Sequence, residues 1–157
     1  MSDCCSVTGP VLEPAERCPE CGLVGRRIER ITLKTLLRPQ ALARVSAREH
    51  RFCASASCRV VYFGLGEVFR REDVLVPVFQ KEPAGDRTVC YCFAVSEGDI
   101  RREIQATGGS PAVERITALV KSERCACEVR NPQGTCCLGN LTAAVKAALA
   151  ETVATAV

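Results

Sequence analysis

Paired cysteines are the residues of this chain best suited to chemistry. They fall as Cys4-Cys5, Cys18-Pro-Glu-Cys21, Cys53 with Cys58, Cys90-Tyr-Cys92, Cys125-Ala-Cys127 and Cys136-Cys137, twelve thiols among 157 residues. Two thiols in one turn can face one ion, and two such pairs complete a four-sulfur tetrahedron. Proteins hold zinc and iron–sulfur clusters in this way. Disulfide frameworks seldom use adjacent or one-residue spacings, because bridging them strains the backbone. The spacings point to metal, with thiols enough for two sites and four left over.

The first candidate site is Cys18-x2-Cys21 followed, after 31 intervening residues, by Cys53-x4-Cys58. Gly22 supplies the tight turn of a zinc knuckle, and the second pair straddles a loop between two expected strands. Four thiolates close the tetrahedron, so the site is structural and leaves no open position for water or substrate. A single iron in a rubredoxin-like site is the chemical alternative, since four sulfurs suit either ion. His50, the sole histidine, reads as a strand residue and not as a fifth ligand.

The second candidate site draws on Cys90 and Cys92, ahead of two expected helices, and on the later thiols Cys125, Cys127, Cys136 and Cys137. Two thiolates before a helical hairpin and two after it suit a [2Fe–2S] cluster near the surface. The segment from Cys90 to Leu141 resembles the [2Fe–2S] domain of the bacterioferritin-associated ferredoxins. It has a C-x-C, a helical stretch, and two more cysteines leading into a helix.

The whole of 18 to about 142 is similar to the N-terminal module of the CopZ-type copper chaperones. Cys18-Pro-Glu-Cys-Gly22, Phe52-Cys-Ala-Ser-Ala-Ser-Cys58, Val60-Val-Tyr-Phe63, Val89-Cys-Tyr-Cys-Phe93 and Asn131-Pro-Gln-Gly-Thr-Cys-Cys137 carry the likeness in order. The resemblance implies zinc on Cys18, Cys21, Cys53 and Cys58, and a [2Fe–2S] cluster on Cys90, Cys92, Cys127 and Cys137. Cys125 and Cys136 are the substitutes. It also implies one-electron transfer in copper homeostasis, reduction of Cu(II) to Cu(I), Cu(I) as a further bound ion, and a copper-transporting ATPase or other copper-handling protein as partner. Chaperones of this type continue into a copper-handing domain with its own C-x2-C, which is not found before Val157, so the resemblance does not by itself imply direct delivery to a pump. Cys4-Cys5 reads as idle surface thiols, with a Cu(I)-collecting arm as the alternative.

The elements that must position these thiols follow from pattern and punctuation. The expected class is α+β: a β-rich zinc domain over 18–80, then a helical cluster domain over 89–152, with 1–17 as a flexible leader. Strands are expected over Arg27–Ile31, His50–Cys53, Arg59–Phe63, Glu67–Arg70 and, at an edge, Val74–Val78, because Pro77 cannot donate to a ladder. Thr32 is expected to cap a short helix ended before Pro39. The polar stretch Lys81–Asp86 reads as the domain boundary. Ser96 caps a helix carrying Ile100 and Ile104 and ended by Gly108-Gly109. Pro111 opens another, and Asn131-Pro-Gln-Gly134 is a turn. A last helix carries Leu141, Val145 and Leu149.

Composition narrows the function classes. The chain is 47% hydrophobic but only 4% aromatic, which suggests thin aliphatic cores stapled by metal. No membrane span or signal peptide is visible, so a cytoplasmic protein with reduced thiols is expected. The formal charge of +3 becomes 3 − 2 − 2 = −1 when each four-thiolate site contributes −2, and a nucleic-acid partner is not expected. An adaptor using Arg26, Arg27, Arg30, Arg44, Arg48 and Arg51, or a [2Fe–2S] sensor or cluster carrier, are the competing functions. Without a Ser/His/Asp set, phosphate loop or open metal site, the chain is not expected to be an enzyme.

Overall fold

The structure, a computed structural model, describes residues 15–155. Cys4-Cys5 and most of the expected leader lie outside the described residues. The chain adopts the α+β class: a four-stranded antiparallel sheet with two short helices, then a two-stranded ribbon with four helices.

The sheet runs in the order β1 (Arg26–Ile28), β2 (His50–Phe52), β3 (Val60–Gly64), β4 (Glu67–Arg70). Its central strand β3 is apolar throughout and buried at all five positions. That run reflects burial on both faces. Val61 and Tyr62 join a core with Leu33, Leu36, Phe52, Phe69 and Val78, whereas Val60 and Phe63 pack with Cys18, Cys53 and Cys58. A register irregularity between Val60 and Tyr62 accompanies the change of face. The expectation of purely aliphatic cores fails here, because Phe52, Tyr62, Phe63 and Phe69 are all fully buried. Few aromatics exist, but most sit in this half, each contributing about 1.5–3 kcal/mol of burial.

Two local expectations are corrected. Thr32 does not cap a helix; it lies inside α1 (Arg30–Leu36), fully buried. Helix α2 (Pro39–Leu42) follows, with Pro39 as its first residue and not merely as a breaker. Val74–Val78 is not a strand. Only Val74 makes a bridge, to Leu37, and the chain then closes into a 3₁₀ turn at Phe79–Lys81. The cause is Pro77, whose carbonyl accepts the Tyr91 hydroxyl at 2.6 Å in place of ladder bonds.

The second half starts with β5 (Thr88–Cys90) and β6 (Val95–Ser96), a small ribbon that the sequence pattern does not announce. Helix α3 (Glu97–Thr107) has the expected Ser96 cap, its hydroxyl accepting from Asp99 N at 3.1 Å, and the expected left-handed Gly108 end. Then come α4 (Ala112–Lys121), α5 (Cys127–Arg130) and α6 (Leu138–Thr155). Ile100, Ile104, Ile116 and Leu141 form their shared core with Val89 and Cys90. Among the described residues no helix is long and apolar enough to cross a membrane.

Candidate metal centres

The first four cysteines meet at the end of the sheet. The Sγ atoms of Cys18, Cys21, Cys53 and Cys58 all lie within 4.8 Å of one another. Cys18 and Cys58 are 3.8 Å apart, and Cys21 and Cys53 are 3.6 Å apart. Four sulfurs at about 2.3 Å from a tetrahedral ion stand about 3.8 Å from each other, so the quartet fits zinc.

The local sequence explains the convergence. Gly22 takes φ 73°, open to glycine and costly for other residues, and its N–H closes the knuckle on the Cys18 carbonyl at 2.8 Å. Arg70 of β4 then grips Glu20 with Nε at 3.0 Å and Nη2 at 2.5 Å, tying the knuckle to the sheet. The other pair flanks the loop between β2 and β3. Backbone N–H groups point at the sulfurs two residues back: Leu23 to Cys21, Ser55 to Cys53 and Val60 to Cys58. The Leu23 N–H is the main reason that the exposed Cys21 thiol is held down at about 7. Burial pushes Cys53 up to about 12 and Cys58 in the same direction. Protons cling to the buried members unless a cation takes their place.

His50 stands apart from this quartet. It is buried in β2 with Nε2 2.5 Å from Glu67 Oε2, a strand histidine held by a carboxylate. The Glu67 carboxyl is pushed up by burial, but bonds from Ser46 and His50 outweigh this and hold it below its ordinary value.

The second set gathers less tightly than the first, which is the one four-thiol group that closes among the described residues. Cys92 and Cys127 have Sγ atoms 3.7 Å apart, again the spacing across one tetrahedral ion. The neighbouring Cys137 thiol, joined by the N–H groups of Phe93 and Cys92, brings the Cys90 thiol down to about 6 despite its burial, and the two cysteines share one buried core. The neighbouring Cys90 thiol and burial push Cys137 up, and burial with the nearby Cys92 charge pushes Cys127 up. Cys90, Cys127 and Cys137 are buried, Cys92 and Cys125 are half-buried, and Cys136 is exposed. Of the four expected cluster ligands, Cys92 and Cys127 are thus paired by distance and Cys90 and Cys137 share a core, while Cys125 and Cys136 belong to neither set. The Ala126 N–H also points at Cys92 Sγ, at 3.3 Å.

The loops carrying these thiols are built against the first half of the chain. Tyr91, between Cys90 and Cys92, accepts from the Phe79 N–H at 2.9 Å. Buried Gln133 donates to the Cys136 carbonyl at 2.8 Å and accepts from Gln80 at 2.6 Å and Asn140 at 3.0 Å. Thr32 donates to the Glu128 carbonyl at 2.7 Å. No local pattern announces these contacts of Thr32, Tyr91 and Gln80, whose partners are 96, 12 and 53 residues away.

Part of the arginine set considered for nucleic acid is internally neutralised. Arg27 and Arg51 pair with Glu49, and Arg44 pairs with Asp73.

The comparisons with known proteins agree with this geometry. A family described as "Zinc binding domain" (zf_CopZ) matches residues 15–75, the segment that holds the first quartet. The copper chaperone CopZ of Archaeoglobus fulgidus is 35% identical over 121 residues, 77% of this chain and 57% of that protein. The chain therefore spans little more than half the length of this curated relative. The X-ray structure of the Archaeoglobus fulgidus CopZ N-terminal domain superposes with a TM-score of 0.69 at 34% identity, covering 81% of this chain and 95% of that one. By sequence and by fold, this chain belongs to the family of the CopZ N-terminal domain.

Proposed function

We propose that the chain is a redox and metal-handling accessory protein of copper homeostasis, with zinc on Cys18, Cys21, Cys53 and Cys58 and a [2Fe–2S] cluster on Cys90, Cys92, Cys127 and Cys137. The observation that carries the cluster reading is the approach of those last four thiols, Cys92 to Cys127 at 3.7 Å, with Cys90 and Cys137 in one buried core. Two pairs of sulfurs, one pair per iron, are what a dinuclear cluster requires. When bound, such a cluster supplies one electron at a time, the amount that turns Cu(II) into Cu(I).

The residues around the thiols suit that role. N–H groups of Cys92, Phe93 and Ala126 are directed at sulfur, where hydrogen bonds tune cluster potential. Half-buried Cys92 and exposed Cys136 leave one side of the site open to a partner. Soft thiolates at that side favour Cu(I) over harder ions. A copper-transporting ATPase or another copper-handling protein is the expected partner, and the setting is cytoplasmic. No substrate is turned over by the protein alone, so it is not an enzyme. The test adds one equivalent of Cu(II) to the reduced, desalted protein without air. Return of the oxidised visible spectrum with one Cu(I) trapped per chain supports the reading; an unchanged spectrum overturns it.

A further inference from the structure

Lys81 is the buried charge that nothing above uses. It is 4% exposed, and its ammonium donates to the Ser55 carbonyl at 2.6 Å. Among the described residues it has no carboxylate partner, because the neighbouring Glu82 is taken by Arg71 at 2.7 Å. A buried ammonium without a counter-ion costs several kcal/mol, and folds seldom tolerate one. Ser55 belongs to the loop between Cys53 and Cys58, so the charge sits beside the zinc quartet. Zinc with four thiolates has a formal charge of +2 − 4 = −2. An unpaired cation and an unpaired anionic centre thus share one buried region.

We propose that Lys81 is the built-in counter-ion of the zinc–thiolate centre, offsetting part of its negative charge and holding the Cys53–Cys58 loop through Ser55. Lys81 comes from the segment that joins the two halves. It ends the 3₁₀ turn Phe79–Lys81, whose Phe79 packs into the second core and lies 4.3 Å under the Arg87 guanidinium. The second half of the chain therefore sets where the zinc counter-ion stands. Lys81 acts through Ser55 and through charge, so it is a positioning residue and not a ligand.

The inference rests on the quartet holding zinc, and the experiment separates the two. Zinc affinity is measured on the full chain by competition with a chromophoric chelator, for the parent, Lys81→Met and Lys81→Gln. Glutamine retains a donor for Ser55 and removes only the charge. Both variants are expected to bind zinc at least about tenfold more weakly, the usual effect of losing a partner outside the ligand shell. Thermal unfolding supplies the second readout. The zinc-loaded variants are expected to melt below the parent, while the zinc-stripped variants melt no lower than the stripped parent, having lost an unpaired buried charge. Affinities within about twofold of the parent, or equal losses with and without zinc, would overturn the role of Lys81. A parent chain that takes up no zinc would instead overturn the quartet, and this inference with it.

Discussion

The Tyr62 hydroxyl, in the middle of β3, donates to the Pro132 carbonyl at 2.8 Å, across 70 residues of sequence. Tyr62 is fully buried, and Pro132 lies in the turn that leads into Cys136 and Cys137. One bond therefore links the strand behind the zinc quartet to the loop that carries Cys136 and Cys137. Removing it by Tyr62→Phe leaves a buried carbonyl unpaired, at an expected cost of about 1–2 kcal/mol. Chemical denaturation checks this, with a lower midpoint at unchanged slope.

Gly134 closes the same turn at φ 67°, and a Cβ there would stand 3.2 Å from both Ile28 Cγ2 and Thr32 Oγ1. Gly134→Ala meets the backbone cost of the left-handed region, about 1–2 kcal/mol, and also pushes the turn off α1. Reduced stability together with lower iron and sulfide content in the purified protein is the expected outcome.

The positions of the later thiols order the cysteines. Cys90, Cys92, Cys127 and Cys137 replaced singly by serine should each lose the visible cluster spectrum. Cys125→Ser and Cys136→Ser should keep it, since neither thiol is paired. Loss in Cys136→Ser with retention in Cys137→Ser would exchange those two assignments.

Glu97 ties the start of α3 to Arg87, with Nη2 at 2.5 Å, and accepts from the Gly85 and Arg87 N–H groups. The Arg87 bond is the main reason its carboxyl sits below the ordinary value. A lowered carboxyl contributes stability above its unfolded value near pH 4.3, and that contribution disappears as pH falls through the lower folded value. Glu97→Gln should cost about 1–2 kcal/mol at pH 7 and very little at pH 2. Unfolding measured across pH 2–7 shows it as a flatter acid limb.

Much of the site was legible in the sequence because ligand spacing is local. Cys18-x2-Cys21 with Gly22, and Cys53-x4-Cys58 between two strands, need only a knuckle and a hairpin to form. The strands around residues 50–52, 60–64 and 67–70 were legible from alternation and from Gly64-Leu-Gly66. The Val74–Val78 segment was not, since its β-type residues are bent by a long-range bond from Tyr91 to Pro77. Lys81 reads in sequence as the first residue of a polar linker. Its burial depends on Ser55, 26 residues earlier, and no local pattern reports that.

The proposed function requires two unlike metal centres in one chain. Anaerobic purification followed by zinc, iron and acid-labile sulfide analysis tests it most directly, with EPR of the reduced protein. About one zinc, two irons and two sulfides per chain are expected, with an EPR signal from a single reduced [2Fe–2S] centre. About two zincs per chain with no sulfide and no signal would contradict it.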